Sequence, residues 1–223
     1  MKKQTLLVVF AALMLASVSV LATLAYLTDR DAVANTFTVG QVDIALDEAA
    51  VTPDGRPILD DAGNPVERVK GNEYHLVPGC SYTKDPTLTV KAGSEQAYLR
   101  MTVTVNCQQA LDAVFAPTGA DLRTLFTGYD ETIWGYAGEL RDETADTVTY
   151  EFRYKEPVAG ADDDTVLEPL FTGFTLPGAI TGEQLASISD LTITVNGHAV
   201  QAATFADADE AWAAFDQQVV ANP

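Results

Sequence analysis

Residues 97–107 read AYLRMTVTVNC. Leu99, Met101, Val103, Val105 and Cys107 fall on one parity, and Tyr98, Arg100, Thr102, Thr104 and Asn106 on the other. A period of two marks a half-buried β-strand, because successive side chains of a strand point to opposite faces. The same chemistry returns at Thr147 to Tyr154, where Val148, Tyr150, Phe152 and Tyr154 share a face, and at Leu191, Ile193 and Val195. Thr132 to Tyr136 and Leu167 to Leu176 are also strand-like. Asn196-Gly197 is either a hairpin tip or the middle of a strand that runs on through Ala199 to Gln201. Upstream, Thr36 to Leu46 predicts the first strand, with a parity change at Gly40 that predicts a bulge or corner.

Turn residues separate these runs. Pro53-Asp54-Gly55 and Asp61-Ala62-Gly63-Asn64 make residues 49–74 a polar excursion of one or two short hairpins, and Pro157 to Thr165 is another turn. Short helices are predicted at Gln108 to Phe115, Asp121 to Phe126 and Gly182 to Ile188. Trp212, Phe215 and Val219 at helical spacing predict an amphipathic helix from Ala208 to Val220 that packs on the sheets. There is no internal repeat. Dominant strands with little long helix predict an all-β fold, an antiparallel β-sandwich with a few short helices.

The 223 residues suit one domain or at most two small ones. Thirteen Lys and Arg against 32 Asp and Glu leave a net charge of −19. That balance argues against nucleic acid or anionic lipid as a partner, since both need a basic patch. A hydrophobic content of 47% is too high for a disordered acidic chain.

Met1 to Ala25 reads as a secretory signal: Lys2 and Lys3 lead an apolar run from Leu6 to Leu21, and Thr23-Leu24-Ala25 supplies small residues for a peptidase. A retained anchor is the alternative, since the run approaches the ~18–20 residues of a span. No basic stop-transfer cluster follows, so cleavage is expected between Ala25 and Tyr26, with no lasting membrane insertion. The chain then divides into a signal peptide (1–25), an N-terminal extension (26–35) and one sandwich domain (36–223). The extension, Tyr26-Leu27-Thr28-Asp29-Arg30-Asp31-Ala32-Val33-Ala34-Asn35, has weak periodicity and no partner strand nearby in sequence.

If Gly93-Ser94 is a two-residue hairpin turn, Ala92 faces Glu95, Val90 faces Ala97, and Cys80 falls opposite Cys107. That register supports a Cys80–Cys107 disulfide in an oxidising compartment. Pro86 interrupts the ladder, and the Gly93 loop could instead cross between two sheets, leaving two free thiols.

Catalytic groups do not converge. His75 and His198 are isolated, and neither lies in a His-Glu-x-x-His pattern. No Gly-x-Ser-x-Gly elbow or phosphate-cradling glycine loop occurs. Asp162-Asp163-Asp164 reads as a solvated turn, and Asp207, Asp209 and Glu210 as an acidic helix N-terminus, neither with the ligand spacing of a calcium loop. No enzyme activity, metal or cofactor is expected.

Several motifs carry a family likeness. Ala25-Tyr26-Leu27-Thr28-Asp29, followed by Asn35-Thr36-Phe37-Thr38-Val39-Gly40-Gln41-Val42-Asp43-Ile44, resembles the start of the TasA/camelysin family of secreted Gram-positive proteins. Pro78-Gly79 with Lys84-Asp85-Pro86, Gly93-Ser94 with Ala97-Tyr98-Leu99-Arg100, and Ile193-Thr194-Val195 through Glu210-Ala211-Trp212 extend the likeness. Residues 49–74 and 108–146 carry little of it. The resemblance implies a jelly-roll-like sandwich and a leader cut by a dedicated, endoplasmic-reticulum-type signal peptidase. It also implies a structural role in a biofilm matrix or surface fibre, located outside the cell. In such a homopolymer, residues Tyr26 to Ala34 of one subunit would complete a sheet of the next along the fibre axis. The peptidase activity described for camelysin has no residues here onto which it can be carried. Two other readings stay open: a monomeric binding or adhesion module for cell wall, host glycan or matrix protein, and an accessory anchor for another fibre subunit.

Overall fold

The computed structural model describes residues 41–221. The strand at the centre of the sequence reading forms as predicted. β5 (Ala97–Asn106) has Ala97, Leu99, Met101, Val103 and Val105 buried on one face. It pairs on one side with β8 (Thr147–Tyr154) and on the other with β11 (Ile193–Gln201), and β7 (Trp134–Asp142) lies beyond β8. This four-stranded antiparallel sheet has the order β11-β5-β8-β7. Its apolar face continues through Val148, Tyr150 and Phe152, and each fully buried aromatic or aliphatic side chain there contributes about 1.5–3 kcal/mol.

The other strands are shorter. β1 (Ile44–Ala49) pairs with β2 (Arg68–Val69) and β4 (Thr87–Val90), and β4 pairs with β9 (Thr165–Val166), giving the order β2-β1-β4-β9. β3 (Ser81–Thr83), β10 (Gly173–Thr175) and β6 (Phe126–Thr127) form a third antiparallel sheet, β3-β10-β6. These two small sheets run into one another. Between them Leu167 N–H donates to Leu88 O (3.0 Å), Leu170 N–H to Pro86 O (3.0 Å) and Lys84 N–H to Thr172 O (3.3 Å). Of the strand predicted over 167–176 only β10 forms; β9 ends just before that span, and Pro169, which has no N–H to donate, lies between the two. Residues from all three sheets enter one buried cluster, so the fold is all-β and sandwich-like.

α1 (Gln108–Phe115), a 3-10 turn at Leu122–Leu125 capped by the Asp121 carboxylate, α2 (Gly182–Ser187) and α3 (Ala208–Ala221) match the helices predicted from sequence. α2 starts with a capping box: Thr181 Oγ1 accepts from Gln184 N–H (3.2 Å), while Gln184 Oε1 accepts from Thr181 N–H (2.9 Å). The polar excursion holds only β2 and two isolated bridges, Val51 with Pro57 and Leu59 with Pro65. Of the strand predicted over 36–46, residues 36–40 and with them the Gly40 corner lie outside the described residues, and among the described residues the first strand starts at Ile44.

One expectation is corrected and one open choice is decided. β4 and β5 do not form a hairpin: β4 bonds to β1 and β9, β5 to β11 and β8. The Gly93 loop crosses between sheets, held by Ser94, whose Oγ accepts from Asp43 N–H (3.1 Å) and donates to Asp43 O (3.2 Å). The register that set Cys80 against Cys107 therefore does not exist, and both are free thiols, Cys80 exposed before β3 and Cys107 half-buried at the end of β5. The second choice, whether Asn196-Gly197 turns or continues, is settled as a continuous strand. A Cβ on Gly197 would meet Leu88 Cδ2 at 2.6 Å, so the glycine serves close packing between sheets, not a turn.

Candidate strand-acceptor groove

A groove of about 1400 Å³ lies between β1 and β11. Its two walls are strand edges, and hydrogen-bond alternation fixes which backbone groups they present. Asp43 O accepts from Lys91 N–H (2.9 Å), so residues 43, 45 and 47 face β4. Ile44, Leu46 and Glu48 face the opposite way, toward β2. But β2 covers β1 only at Glu48 and Ala49. On β11, Asn106 N–H donates to Thr192 O (3.4 Å), which sets the even-numbered residues toward β5. Ile193, Val195 and Gly197 then direct their N–H and C=O groups away from the sheet, and among the described residues no strand pairs with that edge.

The floor is unfinished core. Ile44, Leu46, Tyr74, Leu76, Leu185, Leu191, Ile193 and Val195 are half-buried side chains packed on the main cluster, and all line the groove. Tyr74 stands edge-on to Tyr82 and Phe174, with ring centroids 5.9 and 5.1 Å away, and its hydroxyl donates to Thr83 O (2.9 Å). Burial, reinforced by the Glu48 charge, pushes that phenol well above its ordinary range, so it stays protonated.

One end is polar and built. Lys84 Nζ donates to Glu48 Oε2 at 2.5 Å with both side chains buried, and Asn72 Nδ2 satisfies the second Glu48 oxygen at 2.8 Å. Lys70, exposed on the chain that leaves β2, donates from Nζ to Leu46 O (2.6 Å). It occupies a carbonyl on the open edge of β1, as edge lysines do where a strand must be kept from pairing. Cα atoms of β1 and β11 come within 8 Å of each other. A strand seated between them would need two spacings of about 4.8 Å, which would require β11 to lie roughly 2 Å or more farther out at the narrow end.

The sequence-predicted site residues divide. Ala25 and Tyr26, and the extension Tyr26 to Ala34, lie outside the described residues. His75 and His198 both border the groove, His75 exposed and His198 half-buried with its ring against Phe215 (5.3 Å, edge-on). Among the described residues no group of three His, Cys, Asp or Glu side chains is arranged to hold a metal. Asp164 accepts from Lys91 Nζ (2.8 Å) and Ala92 N–H (2.9 Å), and the lysine holds its carboxyl below the usual range. Asp207 Oδ1 accepts from Glu210 N–H (2.9 Å), in line with the helix-N-terminal reading. Among the described residues no helix is long and apolar enough to cross a membrane.

Sequence reasoning missed the groove. Its one sequence signal is the weak patterning of residues 70–76, which contribute Asn72, Tyr74 and Leu76 without being a strand. Compared with protein-family models, with curated proteins and with solved structures, the chain matches none of them, so the groove is read from its own residues alone.

Proposed function

We propose that the protein is an exported structural subunit that polymerises by strand addition, the N-terminal extension of one copy entering the groove between β1 and β11 of the next. The observation that carries this reading is the pair of strand edges left open among the described residues, over a half-buried apolar floor. Backbone groups of Ile44, Ile193, Val195 and Gly197 supply affinity to any extended chain, and the floor takes alternate side chains. The extension fits the role: ten residues span about 33 Å when extended, and Leu27, Ala32, Val33 and Ala34 are apolar. The contact is head-to-tail and open, so it propagates into a fibre. The resemblance to TasA/camelysin proteins points the same way, and with it come secretion, leader cleavage after Ala25, a jelly-roll-like topology and a place in matrix or surface fibres.

Removal of residues 26–35 from the processed protein tests this. The truncated protein should remain a folded monomer, fail to extend filaments in electron micrographs, and bind a synthetic peptide of residues 26–35. Lys70→Ala in the intact protein should speed filament growth by freeing the Leu46 carbonyl. Normal fibres from the truncated protein would overturn strand addition. A truncated monomer that ignores the peptide, from a parent that never assembles, would instead favour the monomeric binding module.

A further inference from the structure

On the outer face of β5 a cation is buried. Arg100 is 5% exposed, although Tyr98, Thr102, Thr104 and Asn106 on the same face are only partly buried. The cover is α3. The guanidinium carbon lies 4.5 Å from the Trp212 ring centroid and 5.1 Å from that of Phe215. Nη2 donates to Asp216 Oδ1 (2.9 Å), and Nη1 to Glu151 Oε2 (3.2 Å). Arg153 ties the helix start down as well, donating to Glu151 (2.6 Å) and Asp209 (2.6 Å). α3 is thus fixed to β5 and β8 by two arginines.

His198 lies directly opposite Arg100 in the β5–β11 register, under the same helix. Three buried polar atoms meet here without hydrogen-bond partners among the described residues: Arg100 Nε, His198 Nδ1 and Trp212 Nε1. An imidazole proton added at Nδ1 finds no acceptor in that layer. The carboxylates that face it are already engaged, Glu151 from β8 by Arg100 and Arg153, and Asp216 from α3 by Arg100. Asp209 is held by Arg153, and the remaining titratable neighbour on this face of β5 is Tyr98, two pairs along.

We propose that α3 is an acid-released latch on β11, with His198 as its trigger. Protonation sets an imidazolium beside the Arg100 guanidinium in a layer with no spare acceptor, and the helix is what can leave. Burial, and then the Arg100 charge, lower the proton affinity of His198 below that of a free histidine. The undocked form therefore binds the proton more tightly. Docking is full above about pH 6.5 and weakens as pH falls through the lowered native value, by at most tenfold per pH unit. The latch is independent of the proposed strand addition; if that addition occurs, β11 walls the groove and must move, and acid would also ease opening of that edge.

Amide hydrogen exchange in dilute protein between pH 7.5 and 5, corrected for intrinsic rates, reads the latch. Protection across α3 should fall by several-fold to tenfold per unit below pH 6.5 in the wild type and in His75→Gln, and stay level in His198→Gln. In the wild type alone, the His198 ring and the Trp212 indole N–H should titrate by NMR with one shared midpoint below 6.5, which keeps the test decisive if the variant fails to fold. Flat wild-type protection, the same fall in His198→Gln, or an indole that ignores the His198 titration would overturn the latch.

Discussion

Arg100 and Cys107 sit seven residues apart, and each departs from its strand pattern for a reason found elsewhere in the chain. Arg100 reads as a solvent-facing residue of an alternating strand, and is buried because a helix more than 100 residues later covers it. Cys107 reads as the last inward position of that strand. Its backbone instead turns to φ 54, a left-handed conformation that ends the strand and starts α1, with Leu111 N–H donating to its carbonyl (2.9 Å). Its thiol is half-buried; desolvation, then Asp146 and Asp190, push it above the ordinary thiol range. Alkylation without reductant should therefore label both cysteines, Cys80 fast and Cys107 several-fold more slowly near pH 8. The gap should narrow as pH rises past 9 and more Cys107 ionises. Mass spectrometry counts the labels, and a protein that accepts them only after reduction would restore the disulfide.

At the scale of elements, helices and long strands were legible because their patterns are local. Residues 108–115, 147–154 and 182–187 need only neighbours in sequence to show their period or cap. Strand partners were not legible. The Gly93-Ser94 turn is chemically suited to a hairpin, yet Ser94 spends its hydroxyl on Asp43, and the chain passes from one sheet to another. The Glu48–Lys84 pair, between β1 and the segment after β3, was equally hidden, since nothing in either local sequence announces burial. Lys84→Met should leave Glu48 charged and buried with Asn72 alone, at a cost of about 3–5 kcal/mol in urea unfolding. The double variant Glu48→Gln/Lys84→Met should recover most of that loss. A single variant within about 0.5 kcal/mol of wild type would show that the pair is not buried as described.

For the whole molecule, charge and topology would act in opposite directions on the assembly proposed above. On the proposed reading, cleavage after Ala25 would remove Lys2 and Lys3 and take the net charge from −19 to about −21, so copies would repel at long range. Raising salt from about 10 to 150 mM shrinks the screening length from roughly 30 to 8 Å and should speed filament growth severalfold, followed by light scattering. Growth that slows with salt would mean that ion pairs, not backbone edges, hold the subunits. The sequence by itself determined the all-β class, the core face of β5 and β8, the helix positions and the acidic balance, because period, caps and composition are properties of adjacent residues. Only the tertiary structure decided which strands pair, that the cysteines are apart, and that among the described residues β1 and β11 each present an open edge over one apolar floor. Those features depend on which distant segments meet, and a free edge is defined by the partner that is not beside it.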